Sequence, residues 1–201
     1  MTGAACWDAA ANGLPPEVRQ LLNNTGLPSL RDLELLAAFP EWETALPGGE
    51  RPSCTDVMAL ARNHDGLAVI AVEIKVNEPF GPTVGEKRAG ASRGQEQRFD
   101  HLEQVLQLEG HFEDSVRYQL LHRTASALLT ARQFHAATAV MLVHSFSPVG
   151  RWRDDLDAFA AAMGSERVSE DMYALSRFSN PSLFLAWCTG EPGFQQAGAG
   201  V

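Results

Sequence analysis

Two carboxylates and a lysine stand at spacings that suit chemistry on a phosphodiester: Asp56, then Glu73 and Lys75 within the tripeptide Glu-Ile-Lys. Successive side chains of a strand point to opposite faces, so Glu73 and Lys75 share one face while Ile74 turns into a core. A predicted hairpin brings Asp56 to the same end of the sheet. The two carboxylates and the Ile74 carbonyl are oxygen ligands of the kind Mg²⁺ or Mn²⁺ takes, with positions left for water and phosphate. Such an ion polarises the phosphate and acidifies an attacking water. The lysine orients that water or stabilises the charge growing on the phosphorus centre. A Glu-Ile-Lys at a strand end also fits an exposed strand face, and Asp56 after Ser53 and Thr55 also fits a turn.

The elements that must position these residues read as follows. A helix ends in residues 5–11, and a further helical turn or two covers residues 17–22. Ser29 as N-cap, Asp32 and Glu34 in a first turn, and Pro40 after the last turn predict a helix over residues 29–39. Residues 43–46 predict a short strand before Pro47-Gly48-Gly49. Residues 55–62 and 67–76 predict two strands joined by the hairpin signal Asn63-His64-Asp65-Gly66. Residues 77–93, rich in Gly and Pro, predict a long loop, in which Glu78, Phe80 and Gly81 either shape a lid or pack a turn. Helices follow at 94–108 and 113–134, a buried strand at 136–146, a helix at 153–163, and strands at 173–177 and 183–188. Helices alternating with strands in this order make an α/β domain on a mixed sheet.

The helix over 113–134 has an apolar face of Tyr118, Leu121, Ala125 and Leu128. A separate polar stripe holds Gln119, His122, Arg123, Ser126 and Thr130 at helical spacing. A stripe poor in Lys and Glu lines a cleft or is a solvated face. In a cleft, Gln119 and Arg123 bind substrate, Arg123 gripping a phosphate through its planar fork, and His122 donates a proton to the leaving group. His144 and Ser145, at the end of the buried strand, are expected to face the same cleft or to be structural.

The chain has 201 residues, 45% hydrophobic and 20% charged, which suits one globular domain. Its formal charge of −9 opposes a general nucleic-acid binder. Residues 75–98 nevertheless hold Lys75, Lys87, Arg88, Arg93 and Arg98 against Glu78, Glu86 and Glu96. Lys87, Arg88 and Arg93 are the candidates to hold a phosphate chain, in binding that weakens with salt. Cys6, Cys54 and Cys188 share no short spacing, which predicts neither a disulfide framework nor a zinc site and fits a reducing cytoplasm. No apolar run reaches the length of a membrane helix.

Asp56, Glu73 and Lys75, in the order helix, hairpin, helix, strand, resemble the PD-(D/E)xK nuclease superfamily over about residues 29–146. The proline of that motif is displaced here to Pro52, and Thr55 precedes the acid. The resemblance implies a restriction-endonuclease-like α/β fold, a mixed sheet flanked by helices, and Mg²⁺- or Mn²⁺-dependent hydrolysis of nucleic acid. It also implies extra metal ligands from the segment before the first strand, for which Glu34 and Glu41 are the candidates. The stretches PEWETALPGGERPSCTD, VEIKVNEPFGPTVGE, RYQLLHRTASA and VHSFS resemble an uncharacterised bacterial family without an assigned activity. Members of that family carry more sequence ahead of Cys6-Trp7, so the expected organisation is a truncated helical segment (1–28), one α/β domain (29–189) and a flexible tail (190–201). The rival expectations are a non-catalytic binding or regulatory protein on the same scaffold, or an enzyme on a small anionic substrate. The oligomeric state is left open.

Overall fold

A computed structural model describes residues 6–7, 13–49, 51–108 and 110–190. Its centre is a seven-stranded mixed sheet: β1 (Glu34–Thr44), β2 (Ser53–Asn63), β3 (Gly66–Lys75), β4 (Thr138–Ser145), β5 (Glu166–Ser169), β6 (Met172–Ser179) and β7 (Ser182–Thr189). The spatial order is β1-β2-β3-β4-β7-β6-β5. β3 runs parallel to β4 and β4 to β7, and the other pairs are antiparallel. The helices are α1 (Pro16–Asn24), α2 (Val84–Arg88), α3 (Arg93–Val105), α4 (Tyr118–Gln133) and α5 (Arg153–Ala162).

Two apolar layers sandwich the sheet. On one face Met58, Val69, Ala71, Met141 and Val143 pack with Leu102 of α3, Leu121, Ala125 and Leu128 of α4, and Phe159 of α5. On the other, Val57, Ile70, Val72, Val140 and Leu142 pack with Val18 and Leu22 of α1, and with Leu30 and Leu33. The strictly buried β4 (TAVMLVHS) follows from having covered faces and a parallel strand on either side. The hairpin forms as its signal predicts. Asn63 pairs with Gly66, whose φ of 127° suits glycine.

The helix expected over residues 29–39 does not form. A 3-10 turn occupies Pro28–Leu30, Asp32 takes a left-handed φ of 54°, and Glu34–Thr44 is strand β1. The helical cues lose to pairing along β2, which runs from Glu34↔Arg62 to Thr44↔Ser53. Pro40 fits because β1 is an edge strand. Residues 77–93 are not one long loop: Thr83 and Glu86 close a capping box that opens α2. Ser92 and Gln95 do the same for α3. α4 starts at Tyr118, later than expected, and stops where His135 turns left-handed (φ 52°). β5 had no strand signal. The tail from residue 191 and most of residues 5–11 lie outside the described residues.

The β1–β2 connection is held against the start of α3. Gly48 has φ 75°, and a methyl group there would stand 2.0 Å from the Gly94 carbonyl oxygen. Arg98 ties the same connection down, donating to the carbonyls of Leu46, Pro47 and Arg51 at 3.1, 3.1 and 2.8 Å. Gly48→Ala is therefore expected to cost about 1–3 kcal/mol in urea unfolding from backbone strain alone, with the clash added. An unchanged midpoint would show that the two backbones do not touch.

Candidate functional site

β2 and β3 separate where the site begins. Their pairing ends at Val57↔Val72, while β2 continues beside β1 to Ser53 and β3 continues beside β4 to Lys75. Within this wedge the Asp56 carboxylate accepts from the Ile74 backbone N–H at 2.7 Å, replacing the missing ladder bond. Its second oxygen has no hydrogen bond among the described residues. Glu41, at φ 50°, interrupts the alternation of β1 opposite this point, between Pro40↔Val57 and Trp42↔Thr55. Ser53 consequently faces α4 even though Val57, four residues on, belongs to the other layer.

Glu73 is the hub. Its Oε1 accepts from Lys75 Nζ at 2.8 Å and from Gln119 Nε2 at 2.6 Å, and its Oε2 from Arg123 Nε at 2.5 Å. The Glu73 and Lys75 side chains are each 4% exposed and that of Arg123 10%. Lys75 also donates to Gln119 Oε1 at 3.1 Å and lies 5.0 Å from the Phe80 ring centre. Arg123 Nη1 donates to Ser53 Oγ at 3.0 Å, and Ser53 Oγ lies 2.9 Å from His122 Nδ1. Ser53, absent from the sequence-derived candidates, is thus a link of this chain. Charged pairs so deeply buried persist only with their hydrogen bonds satisfied, and here each has a partner.

Burial, then the negative charge of Glu73, pushes the Asp56 carboxyl up to about 6. Burial, then the neighbouring Arg123, pushes His122 down to about 3, so its ring is neutral at physiological pH. A neutral ring keeps one N–H, which is the donor that the role expected of His122 has to use.

The sequence-derived candidates are placed as follows. Gln119, Arg123, Asp56, Glu73 and Lys75 come together. The stripe on α4 is not a solvated face: Ser126 bonds its own helix at the His122 carbonyl, and Thr130 meets Thr44 at 3.3 Å. Glu34 lies at the far end of the sheet, paired with Arg62 at 3.3 Å. Glu41 accepts from the Cys54 thiol at 3.1 Å. Arg88 is committed to Glu103 at 2.6 Å and to the Phe112 carbonyl, which removes it from the candidates for gripping phosphate. Arg93 opens α3 and makes no ion pair among the described residues. Lys87 lies 5.6 Å from the Tyr118 ring centre and lines, with Arg51, Ser92, Gln95, Arg98 and Tyr118, a cleft of about 610 Å³. Tyr118 contacts His122 (5.1 Å between ring centres), so this cleft adjoins the site. His144 is on the opposite layer: β4 alternation sends it with Val140 and Leu142 toward α1, away from Glu73. Phe80 is fully buried, and Glu78 accepts from the Asn77 N–H at 3.0 Å, so these two pack the turn after β3.

The family model described as Domain of unknown function (DUF6946) matches residues 1–192, and the chain belongs to that family. No curated protein and no solved structure matches it. No helix among the described residues is long and apolar enough to cross a membrane.

The two shifted groups make opposite contributions to stability. The native state holds the Asp56 proton more tightly than the unfolded chain, so stability falls as pH rises from 3.8 to about 6. The native state refuses the His122 proton, so stability falls as pH drops from 6.5 toward about 3. Asp56→Asn removes the first effect alone. Urea midpoints of this variant are expected to climb more steeply with pH than those of the wild type between pH 4 and 6. Parallel curves would mean an ordinary Asp56.

Proposed function

We propose that this domain is a metal-dependent phosphodiesterase with a restriction-endonuclease-like core, acting on nucleic acid. The observation that carries this reading is the wedge between β2 and β3. It puts Asp56 beside Glu73 and Lys75 at one end of neighbouring strands, next to a basic cleft. The meander β1–β2–β3, the helix α4 and the parallel strand β4 support the core assignment.

The donor set suits Mg²⁺ or Mn²⁺ in type: the unbonded oxygen of Asp56, the Glu73 carboxylate and the Ile74 carbonyl would hold the ion. Thr55 adds a buried hydroxyl without a partner among the described residues. Such an ion supplies Lewis acidity and a water acidified toward neutral pH. Lys75 and Arg123 already balance the Glu73 charge, so a bound ion would compete with these two cations for the carboxylate. Either cation, freed from Glu73, would be placed to meet a phosphate oxygen, Arg123 through its fork and Lys75 as a point charge. Gln119 keeps Lys75 and Glu73 in register through bonds to both. Phe80 excludes water from the back of Lys75. The elevated Asp56 carboxyl ionises fully only above about 6, so activity is expected to rise through that pH.

A second reading has its own support: Glu73 already accepts from two protein cations and from Gln119, an arrangement that also suits a non-catalytic binding domain. The two part in one experiment, in which the purified chain meets labelled single- and double-stranded DNA and RNA with Mn²⁺ or Mg²⁺. Cleavage reduced about 100-fold or more in Lys75→Ala, with Mn²⁺ affinity kept or improved because a competing cation is gone, supports the enzyme. Binding without cleavage supports the second reading. No binding at low salt rejects the enzyme and leaves the non-catalytic domain as the better reading.

Lys87, which lines the cleft, and Arg93, at the start of α3 between the lining residues Ser92 and Gly94, make a separate prediction. Lys87→Gln with Arg93→Gln is expected to weaken nucleic-acid binding and to flatten its log–log salt dependence by roughly one unit for each phosphate no longer neutralised. Turnover at saturating substrate should largely survive. Arg88→Gln should act on stability instead, through Glu103.

A further inference from the structure

We propose that Cys6, Glu17 and His144 form a binding site for a zinc-class divalent metal ion, on the opposite face of the sheet from Glu73. The ligand atoms of these three residues all lie within 4.8 Å of one another. Zinc bonds sulfur at about 2.3 Å and nitrogen or oxygen at about 2.0–2.2 Å, so ligand atoms around it stand roughly 4 Å apart or less. Small side-chain shifts close the set.

His144 makes the strongest demand for a ligand. Its side chain is 0% exposed, Nδ1 has no partner among the described residues, and Nε2 has only a poorly aligned contact with Glu17 Oε1 at 3.2 Å. Buried polar nitrogens are rarely left so, because an unmade bond costs the full desolvation penalty. The ring is clamped between Phe146 (4.5 Å) and the edge of Trp7 (6.4 Å), so it cannot swing out to water. Cys6 is buried and its Sγ lies 3.5 Å from the same Glu17 oxygen.

One thiolate, one imidazole and one carboxylate favour zinc over magnesium or calcium, which prefer oxygen alone. On binding, the Cys6 S–H bond breaks, its proton goes to solvent and a metal–sulfur bond forms. Three protein ligands leave a fourth position, and a cleft of about 370 Å³ lined by Glu17, Gln20, Glu170, Asp171 and Cys188 brings water to that side. Thiol catalysis fits less well. Glu17 stands between Cys6 and His144, whereas an activated cysteine needs the imidazole itself as base. The three cysteines lack any metal-binding spacing in the sequence because these ligands come from a helical turn, α1 and the end of β4.

The experiment is a Co²⁺ titration of the whole, chelator-stripped protein followed by absorbance. The wild type should give visible d–d bands and a near-ultraviolet thiolate-to-metal band, both removed by one equivalent of Zn²⁺, and Zn²⁺ should raise its Tm. Cys6→Ser should lose the near-ultraviolet band and weaken Co²⁺ at least about tenfold. Glu17→Gln should weaken it similarly and abolish the Tm gain. Arg62→Gln, at the far end of the sheet from both sites, should keep every signal. His144→Ala empties a core position, so the weight rests on the other two ligands. Absence of the bands in the wild type would overturn the site. So would a thiolate band that survives Cys6→Ser or disappears only in Cys188→Ser.

Discussion

The carboxylate of Glu73 is the constraint on which the site depends. Three side chains donate to it, two of them cations, inside a layer otherwise made of aliphatic and aromatic groups. Removing a buried partner of such a set leaves an uncompensated charge, a far larger cost than removing a surface pair. The position of α4 over β3 follows from it. Gln119 and Arg123 lie one turn apart, and both must reach the same acid while Leu121, Ala125 and Leu128 fill the core beside them. The end of β2 is tied in through Ser53, which joins Arg123 to His122.

The wedge between β2 and β3 supplies the other half of the design. A continuous ladder would have bonded the Ile74 N–H to backbone and left no room for a carboxylate. By ending the ladder at Val57↔Val72, the sheet admits Asp56 to a position where burial and Glu73 oppose its ionisation. Raised acids beside buried cations are a frequent mark of functional sites, although structural ion networks produce them too. The same sheet separates the two candidate sites: alternation along β3 and β4 sends Glu73 and Lys75 to the layer of α4, and His144 to the layer of α1.

Much was legible in the sequence. Alternation in Glu-Ile-Lys placed Glu73 and Lys75 together, and the Asn-His-Asp-Gly signal placed the hairpin that returns β2 to them. The continuous apolar run over residues 136–146 announced a buried strand, and the spacing of Gln119, His122, Arg123, Ser126 and Thr130 marked a second, polar face on α4, open between a cleft lining and a solvated surface. These are local rules, with periods of 2 or 3.6 residues, and need no knowledge of what packs where.

Tertiary structure alone decided the rest. β1 carries helix cues, yet backbone pairing along the whole of β2 outweighs a weak local preference. The shift of face between Ser53 and Val57 falls opposite Glu41, whose left-handed backbone no residue pattern announced. Arg88 reads as a free cation until Glu103, fifteen residues on, proves to hold it. Cys6, Glu17 and His144 share no spacing at all, and they meet only because α1 covers the layer into which β4 turns His144. Sequence determines which face a side chain takes within its own element. Which partner waits on that face is a property of how the elements pack.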